Sequence, residues 1–240
     1  MSSSESSGGS VWLRPERPPR DRQLTRERIV EVAVAVLDAE GHRGSMRRVA
    51  TELGVTAGSL YWYVHTKDDL LELALDRVLG EVRAGPGTSG WRDGLAALAR
   101  SNRAMLLRHR WALSELTVRP NLGPNALALA ETGLRLLESA GFAGSDLDAA
   151  MAAVNDHVVG AVIAEVAWRD TLARMSGTGS GWDEQAADYL RQVAERHPTL
   201  AGRMAATGEI DVERESERRF TFGLDCLLDG LATRCAPSPS

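Results

Sequence analysis

Cysteine, lysine and aromatic residues are scarce in this sequence. Its 240 residues include two cysteines, Cys226 and Cys235, and one lysine, Lys67, against 27 arginines. Two cysteines near one end supply neither a disulfide framework nor a ligand cluster, which points to a reducing, cytoplasmic setting. No apolar run approaches the ~18–20 residues of a membrane span. The first ten residues, MSSSESSGGS, are polar where a signal peptide is apolar. Secretion and membrane embedding are therefore not expected. Alternation of apolar and polar residues is missing as well, so no strands are expected. Groups for catalysis are equally sparse. Five histidines are scattered without a His-x-x-x-His pair. The run Gly177–Gly181 (GTGSG) follows no strand and precedes no Lys-Ser/Thr, so it reads as a linker and not a phosphate loop. No serine sits in a strand-to-helix elbow. The expectation is a protein without catalytic residues, metal or cofactor.

Helical periodicity fills the chain. Residues 1–21, rich in Ser, Gly, Pro and Arg, read as a disordered basic arm. Residues 22–83 form a first unit. Ile29, Val32, Ala33, Val36 and Leu37 make one apolar stripe after Thr25, stopped by Gly41. Met46, Val49, Ala50 and Leu53 repeat the spacing after Ser45 and end at Gly54. A third short helix covers about Ala57 to Val64. Thr66 with Asp69 gives a capping-box signature for a longer helix through Val82. The stretch Ala84–Gly90 (AGPGTSG) is a hinge by composition, and residues 84–240 form a second, larger unit. There, helices are expected near Trp91–Leu106, Ala112–Val118, Pro124–Ala140, Ser145–Asp170, Asp183–Arg196 and Val212–Thr233. The fold class is all-α, a small three-helix N-terminal domain followed by a larger helical one.

Net charge is −5, yet it is unevenly spread: residues 14–67 carry ten basic and seven acidic groups, while residues 84–240 carry 16 and 20. A local basic face, not the total, is what meets phosphate. The short helices on either side of Gly54 have the helix-turn-helix arrangement, whose second helix enters the major groove of DNA. Gly54 supplies the positive φ of the turn. Leu60 is the buried anchor of the second helix, which leaves Thr56, Ser59, Tyr61, Trp62 and Tyr63 to face DNA. Aromatic rings pack on thymine methyls and sugars, and phenol hydroxyls reach phosphates. A local core of Tyr61 and Trp62 against Leu60 is the alternative. Arg47 and Arg48 stand as DNA contacts or as solvated surface.

Residues 24–82 resemble the N-terminal domain of the tetracycline-repressor (TetR) family. The match runs without a gap from Met46-Arg47-Arg48-Val49-Ala50 through Leu53-Gly54-Val55 and Leu60-Tyr61-Trp62-Tyr63-Val64 to Lys67. The resemblance implies a homodimeric transcriptional regulator, most often a repressor, that a small molecule releases from a palindromic double-stranded operator. It also implies residue roles. Arg47 would read a guanine edge, with Thr56, Ala57, Gly58 and Ser59 opening the recognition helix. Tyr61, Trp62 and Tyr63 would touch thymine methyl or phosphate, while Lys67 and the helix start at Thr66 would hold a phosphate. The basic arm would lie in the minor groove or be a passive tail.

A looser resemblance to the family's C-terminal domain rests on Arg119-Pro120, Gly141-Phe142, Gly160-Ala161-Val162 and Phe222-Gly223-Leu224 to Asp229-Gly230. It implies dimerisation through the helices at 146–170 and 212–233. It also implies an effector cavity with His109, Trp111, Glu115, Arg119, His157, Glu165 and Trp168 as candidate lining. Glu115 stands where magnesium-binding members carry a histidine, which speaks against magnesium–tetracycline as the effector. His157 could instead be a satisfied packing histidine, and Glu165 could pair with an arginine across the dimer. A dimeric helical adaptor that binds protein instead of DNA is the alternative function.

Overall fold

The computed structural model describes residues 10–15, 24–85, 89–118, 121–175, 189, 191, 192, 194, 196–205 and 211–235. These contain helices and no strand. The expected loop at 176–181 and most of the helix at 183–196 lie outside the described residues.

Four helices make the N-terminal part: α1 (Arg26–Glu40), α2 (Met46–Leu53), α3 (Ala57–Tyr63) and α4 (Lys67–Leu79). A hydroxyl opens each one. Thr25, Ser45 and Thr56 accept from the N–H groups of Arg28, Arg48 and Ser59 at 3.2 Å, and Thr66 accepts from Asp69 at 3.0 Å. Such caps contribute about 1 kcal/mol apiece. Gly54 ends α2 at φ 68°, donating its N–H to the carbonyls of Ala50 and Thr51. The left-handed backbone, not lack of space, requires glycine here, since a Cβ would meet nothing within 4 Å.

Among the described residues, the further helices with defined bounds are α5 (Gly90–Arg108), α6 (Ala112–Val118), α7 (Pro124–Ser139), α8 (Gly144–Met175), α9 (Pro198–Ala205) and α10 (Val212–Ala232). Two apolar cores result. Ile29, Ala33, Val49, Leu60 and Val64 centre the first, whereas Leu95, Leu106, Leu137, Val158, Phe220 and Leu224 centre the second. Helix α4 belongs to both: Leu70 and Leu73 enter the first core, and Leu71, Leu75 and Val78 enter the second. Any tilt of α4 must therefore disturb one core or the other.

The junction between α4 and α7 is tight and polar. Asp76, 5% exposed, accepts from the Ala126 N–H and from Asn125 Nδ2, both at 2.9 Å. Helix α7 has no side-chain cap of its own, so a carboxylate from another helix satisfies its first turn. Gly123 permits the approach, because a Cβ there would lie 2.2 Å from Asp76 Oδ1. Gly123→Ala is expected to lower stability by about 2 kcal/mol in urea unfolding. Gly202→Ala, where a Cβ meets nothing within 4 Å, is expected to raise it by about 0.5 kcal/mol.

Two sequence expectations change. Residues 10–15 belong to the expected disordered arm, yet Val11–Leu13 form a 3₁₀ turn with Val11 buried in the first core. Charged partners on α4, invisible to local composition, order this segment. The Thr66–Asp69 pair caps in one direction only: Thr66 accepts from Asp69 N, while the Asp69 carboxylate pairs with Arg14.

Candidate nucleic-acid interface and ligand cavity

Helices α2 and α3 cross at Gly54, and Leu60, fully buried, fixes α3 to the first core. Thr56, Gly58 and Ser59 are exposed at the start of α3, with Ala57 half-buried between them. The Thr56 and Ser59 hydroxyls lie 3.0 Å apart, so the first turn shows hydroxyl groups outward. The aromatic trio divides. Tyr61 is 48% exposed, but Trp62 and Tyr63 are half-buried, and Tyr63 packs against the first core. Of the three rings expected to meet DNA, Tyr61 is the most exposed and Tyr63 turns toward the first core. The spacing of a helix cannot send three consecutive residues to one side.

The two adjacent arginines of α2 also differ. Arg48 bridges Glu40 at 2.7 Å and Glu52 at 2.6 Å. The hydrogen bond that Arg48 donates to Glu40 is the main cause that raises its pKa. Arg47 is exposed, and its guanidinium has no partner among the described residues. Arg43, just before the Ser45 cap, is exposed in the same way and was not singled out in the sequence. Its one advance signal was its place before a helix start in a basic stretch. Lys67 is partly committed: its ammonium donates to the His42 carbonyl at 2.6 Å, which leaves further donors beside the Thr66 cap.

Residues expected to line one ligand cavity fall in two places. His109, Trp111 and Glu115 lie where α5 and α6 meet the N-terminal domain. Nδ1 of His109 donates to Asp38 of α1 at 2.7 Å, and Nε2 lies 3.3 Å from Glu81, just beyond α4. Trp111 Nε1 donates to the same Asp38 oxygen at 2.9 Å, and Arg108 bridges Glu81 at 2.6 Å. Glu115 faces His42 at 3.4 Å. These three residues tie the domains together instead of lining the cavity described next. Arg119 lies outside the described residues.

His157, Glu165 and Trp168 do share a cavity, of about 340 Å³, between α8 and α10. Phe220 and Arg219 complete its walls. His157 stacks on Phe220 with ring centroids 5.3 Å apart and meets the Phe220 carbonyl at 3.0 Å. A Cβ at Gly223 would stand 2.5 Å from the His157 ring, so this glycine serves packing within the chain. Glu165, 3% exposed, is bridged by Arg103 of α5 at 2.7 Å and by Arg169 at 2.6 Å. Both of these arginines belong to its own chain. Arg103 also reaches Glu217 at 2.5 Å and covers the Phe220 ring at 4.9 Å. Arg219 lies 4.9 Å over Trp168 and is held by Glu215 at 2.9 Å. Hydrogen bonds from Arg218 and then Arg219 pull the Glu215 carboxyl down to about 2, which keeps it charged at neutral pH.

The cavity opens on an unusual face. One stretch of α8 is long and apolar enough to cross a membrane, although no such run was expected, and only 28% of it is buried within the chain. Ile163 of α8 is 52% exposed and Phe222 of α10 is 67% exposed. Gly160 and Gly230 meet nothing within 4 Å, unlike Gly223. Large exposed apolar patches mark interaction surfaces, and this one suits a second helical pair.

A helix-turn-helix carrying an arginine without a partner among the described residues, joined through a shared helix to a larger helical domain, defines a DNA-binding regulator. Comparison with known proteins makes this specific. Residues 29–74 match the family described as bacterial regulatory proteins, tetR family, and residues 84–235 match the tetracyclin repressor-like C-terminal domain. An HTH-type transcriptional regulator from Saccharopolyspora erythraea is 43% identical over 96% of this chain and 94% of its own. The HTH-type transcriptional repressor DrrR1 of Streptomyces coeruleorubidus is 39% identical over 91% of this chain and 80% of its own. Among solved structures, the Streptomyces coelicolor TetR family protein ActR in complex with actinorhodin superposes with a TM-score of 0.69. It is 32% identical, covering 89% of this chain and 99% of that one. The chain belongs to the TetR family of ligand-responsive, DNA-binding transcriptional regulators.

Proposed function

We propose that this chain acts in the cytoplasm as a homodimeric repressor whose α3 helices read the two halves of a palindromic operator. The observation that carries the reading is the contrast within α2, where Arg48 is spent on Glu40 and Glu52 while Arg47 stands uncommitted beside the exposed start of α3. A free guanidinium fork matches O6 and N7 of guanine. Thr56, Gly58, Ser59 and Tyr61 supply the adjoining surface, with Ala57, Trp62 and Tyr63 behind it. Arg43, Lys67 and the helix start at Thr66 meet the phosphates. The test is the salt dependence of operator binding. Lys67→Ala is expected to weaken binding and to reduce the slope of log affinity against log salt by about one. An unchanged slope would remove Lys67 from the phosphate contacts.

For the effector we propose the α8–α10 cavity, closed in the dimer by the second copy. Trp168 and Phe220 offer flat apolar walls, and His157, Glu165 and Arg219 offer polar anchors, as drug-sized sites do. A polycyclic aromatic with a polar or acidic edge fits this lining. ActR, a relative at 32% identity, is solved in complex with actinorhodin, which serves here as the probe. With actinorhodin as the probe, operator release is expected to need about tenfold more compound in Trp168→Ala, the loss of one stacking wall. Release at the wild-type concentration would place the site elsewhere. Effector and DNA oppose each other by preferring different settings of α4, so each weakens the other equally.

A further inference from the structure

Three carboxylates recur along one edge of α4, at Asp69, Glu72 and Asp76, spaced by three and four residues. Two of them hold one short segment of the chain and the third holds α7. Asp69 pairs with Arg14. One oxygen of Glu72 accepts from the Ser10 hydroxyl at 2.7 Å and from the Val11 N–H at 2.9 Å. Asp76 holds the start of α7. The segment Ser10–Arg14 therefore runs antiparallel to α4, from the α7 junction back toward the helix start. Val11 is buried in the first core, and Trp12 shares a small hollow with Asp76, Leu79, Leu122 and Gly123. One short stretch of chain thus enters the first core, bonds α4 and faces the beginning of α7 across that hollow.

We propose that residues 10–14 are an internal splint. They hold α4 in one setting against both the α1–α3 unit and α7, and thereby fix the separation of the two recognition helices without touching DNA. The inference rests on the reading of the chain as an operator-binding dimer. Its physical basis is that α4 spans both cores, sharing that place with the end of α1 through Leu37, and a spanning helix rocks unless it is braced at more than one point. The splint adds a buried valine, a half-buried indole beside the first core and hydrogen bonds to charged acceptors, which are the stronger kind. Without it, only a fraction of molecules would present both α3 helices at the operator spacing, and apparent affinity falls by that fraction.

The test uses the full-length dimer with Trp12→Ala, Glu72→Gln and a deletion of residues 2–8, none of which removes a basic side chain. Operator affinity is measured across a range of salt. The distance between the two α2 helices is measured by spin labels at Thr51→Cys, with Cys226 and Cys235 replaced by serine. Trp12→Ala and Glu72→Gln are expected to lower affinity about tenfold, the fall for a competent fraction near one tenth. The salt slope should stay unchanged, and the distance distribution should broaden. The deletion is expected to behave as wild type. Unchanged affinity and distances would overturn the splint, as would a lowered melting temperature with distances intact, which would leave a merely stabilising contact. Loss of affinity with a shallower salt slope would overturn it in favour of an arm lying on the phosphates. Wild-type protein that binds no operator would instead defeat the DNA-binding reading itself.

Discussion

Replacing Arg103 with leucine is expected to destabilise the protein by about 3 kcal/mol, the usual cost of removing one partner from a buried ion pair. Glu165 is 3% exposed and Arg103 9% exposed, so neither charge can turn to water. Arg103 is the hub of the arrangement, joining Glu165 of α8 at 2.7 Å to Glu217 of α10 at 2.5 Å from its place on α5. Without it, Glu165 keeps, among the described residues, only Arg169, itself a partly exposed neighbour one turn along α8. The Phe220 ring also loses the guanidinium that covers it. The paired change Arg103→Leu with Glu165→Leu removes both buried charges and should recover most of the loss. Urea unfolding at fixed protomer concentration measures both, since dimer stability depends on concentration. A double variant no more stable than Arg103→Leu would show that packing, and not the stranded carboxylate, causes the loss.

The second large effect is on recognition. Arg47→Ala is expected to cost ~1–3 kcal/mol of operator binding and to relax preference at one position in each half-site. Arg47→Lys should recover little, because an ammonium lacks the bidentate fork. Arg48→Ala should change binding by less than about 0.5 kcal/mol, since Glu40 and Glu52 already hold that guanidinium. Competition binding against operators substituted at each position reads both effects. Equal losses at Arg47 and Arg48 would mean that charge alone, not the free fork, is what DNA senses.

Local chemistry accounts for what was legible in the sequence. Thr25, Ser45, Thr56 and Thr66 each begin a helix by bonding an amide three residues on, so their own spacing announced them. Gly54 was readable because its φ of 68° is a demand on the residue itself. Leu60 was legible as the α3 anchor for the same reason of period. The site was legible in part. His157, Glu165 and Trp168 lie at helical spacing on α8 and do share a cavity. His109, Trp111 and Glu115 were grouped with them only by family resemblance, and partners on α1, just beyond α4 and on the α1–α2 connection claim them instead. Those partners lie up to 73 residues away in sequence, and no local pattern carries such information. The same holds for Ser10 and Val11, whose order depends on Glu72, about sixty residues on. Composition marked that segment as a tail because composition ignores what it docks on. Tyr63 was assigned outward with Tyr61, although 100° per residue turns it toward the first core.

Selection of bound duplexes from a random pool by the purified full-length protein, near physiological salt, tests the central claim most directly. Two α3 helices related by a two-fold axis must enrich a palindrome, with half-sites spaced by whole or half turns of DNA and a guanine in each half that loses its preference in Arg47→Ala. A folded dimer that enriches no sequence, or enriches one without two-fold symmetry, would contradict the account.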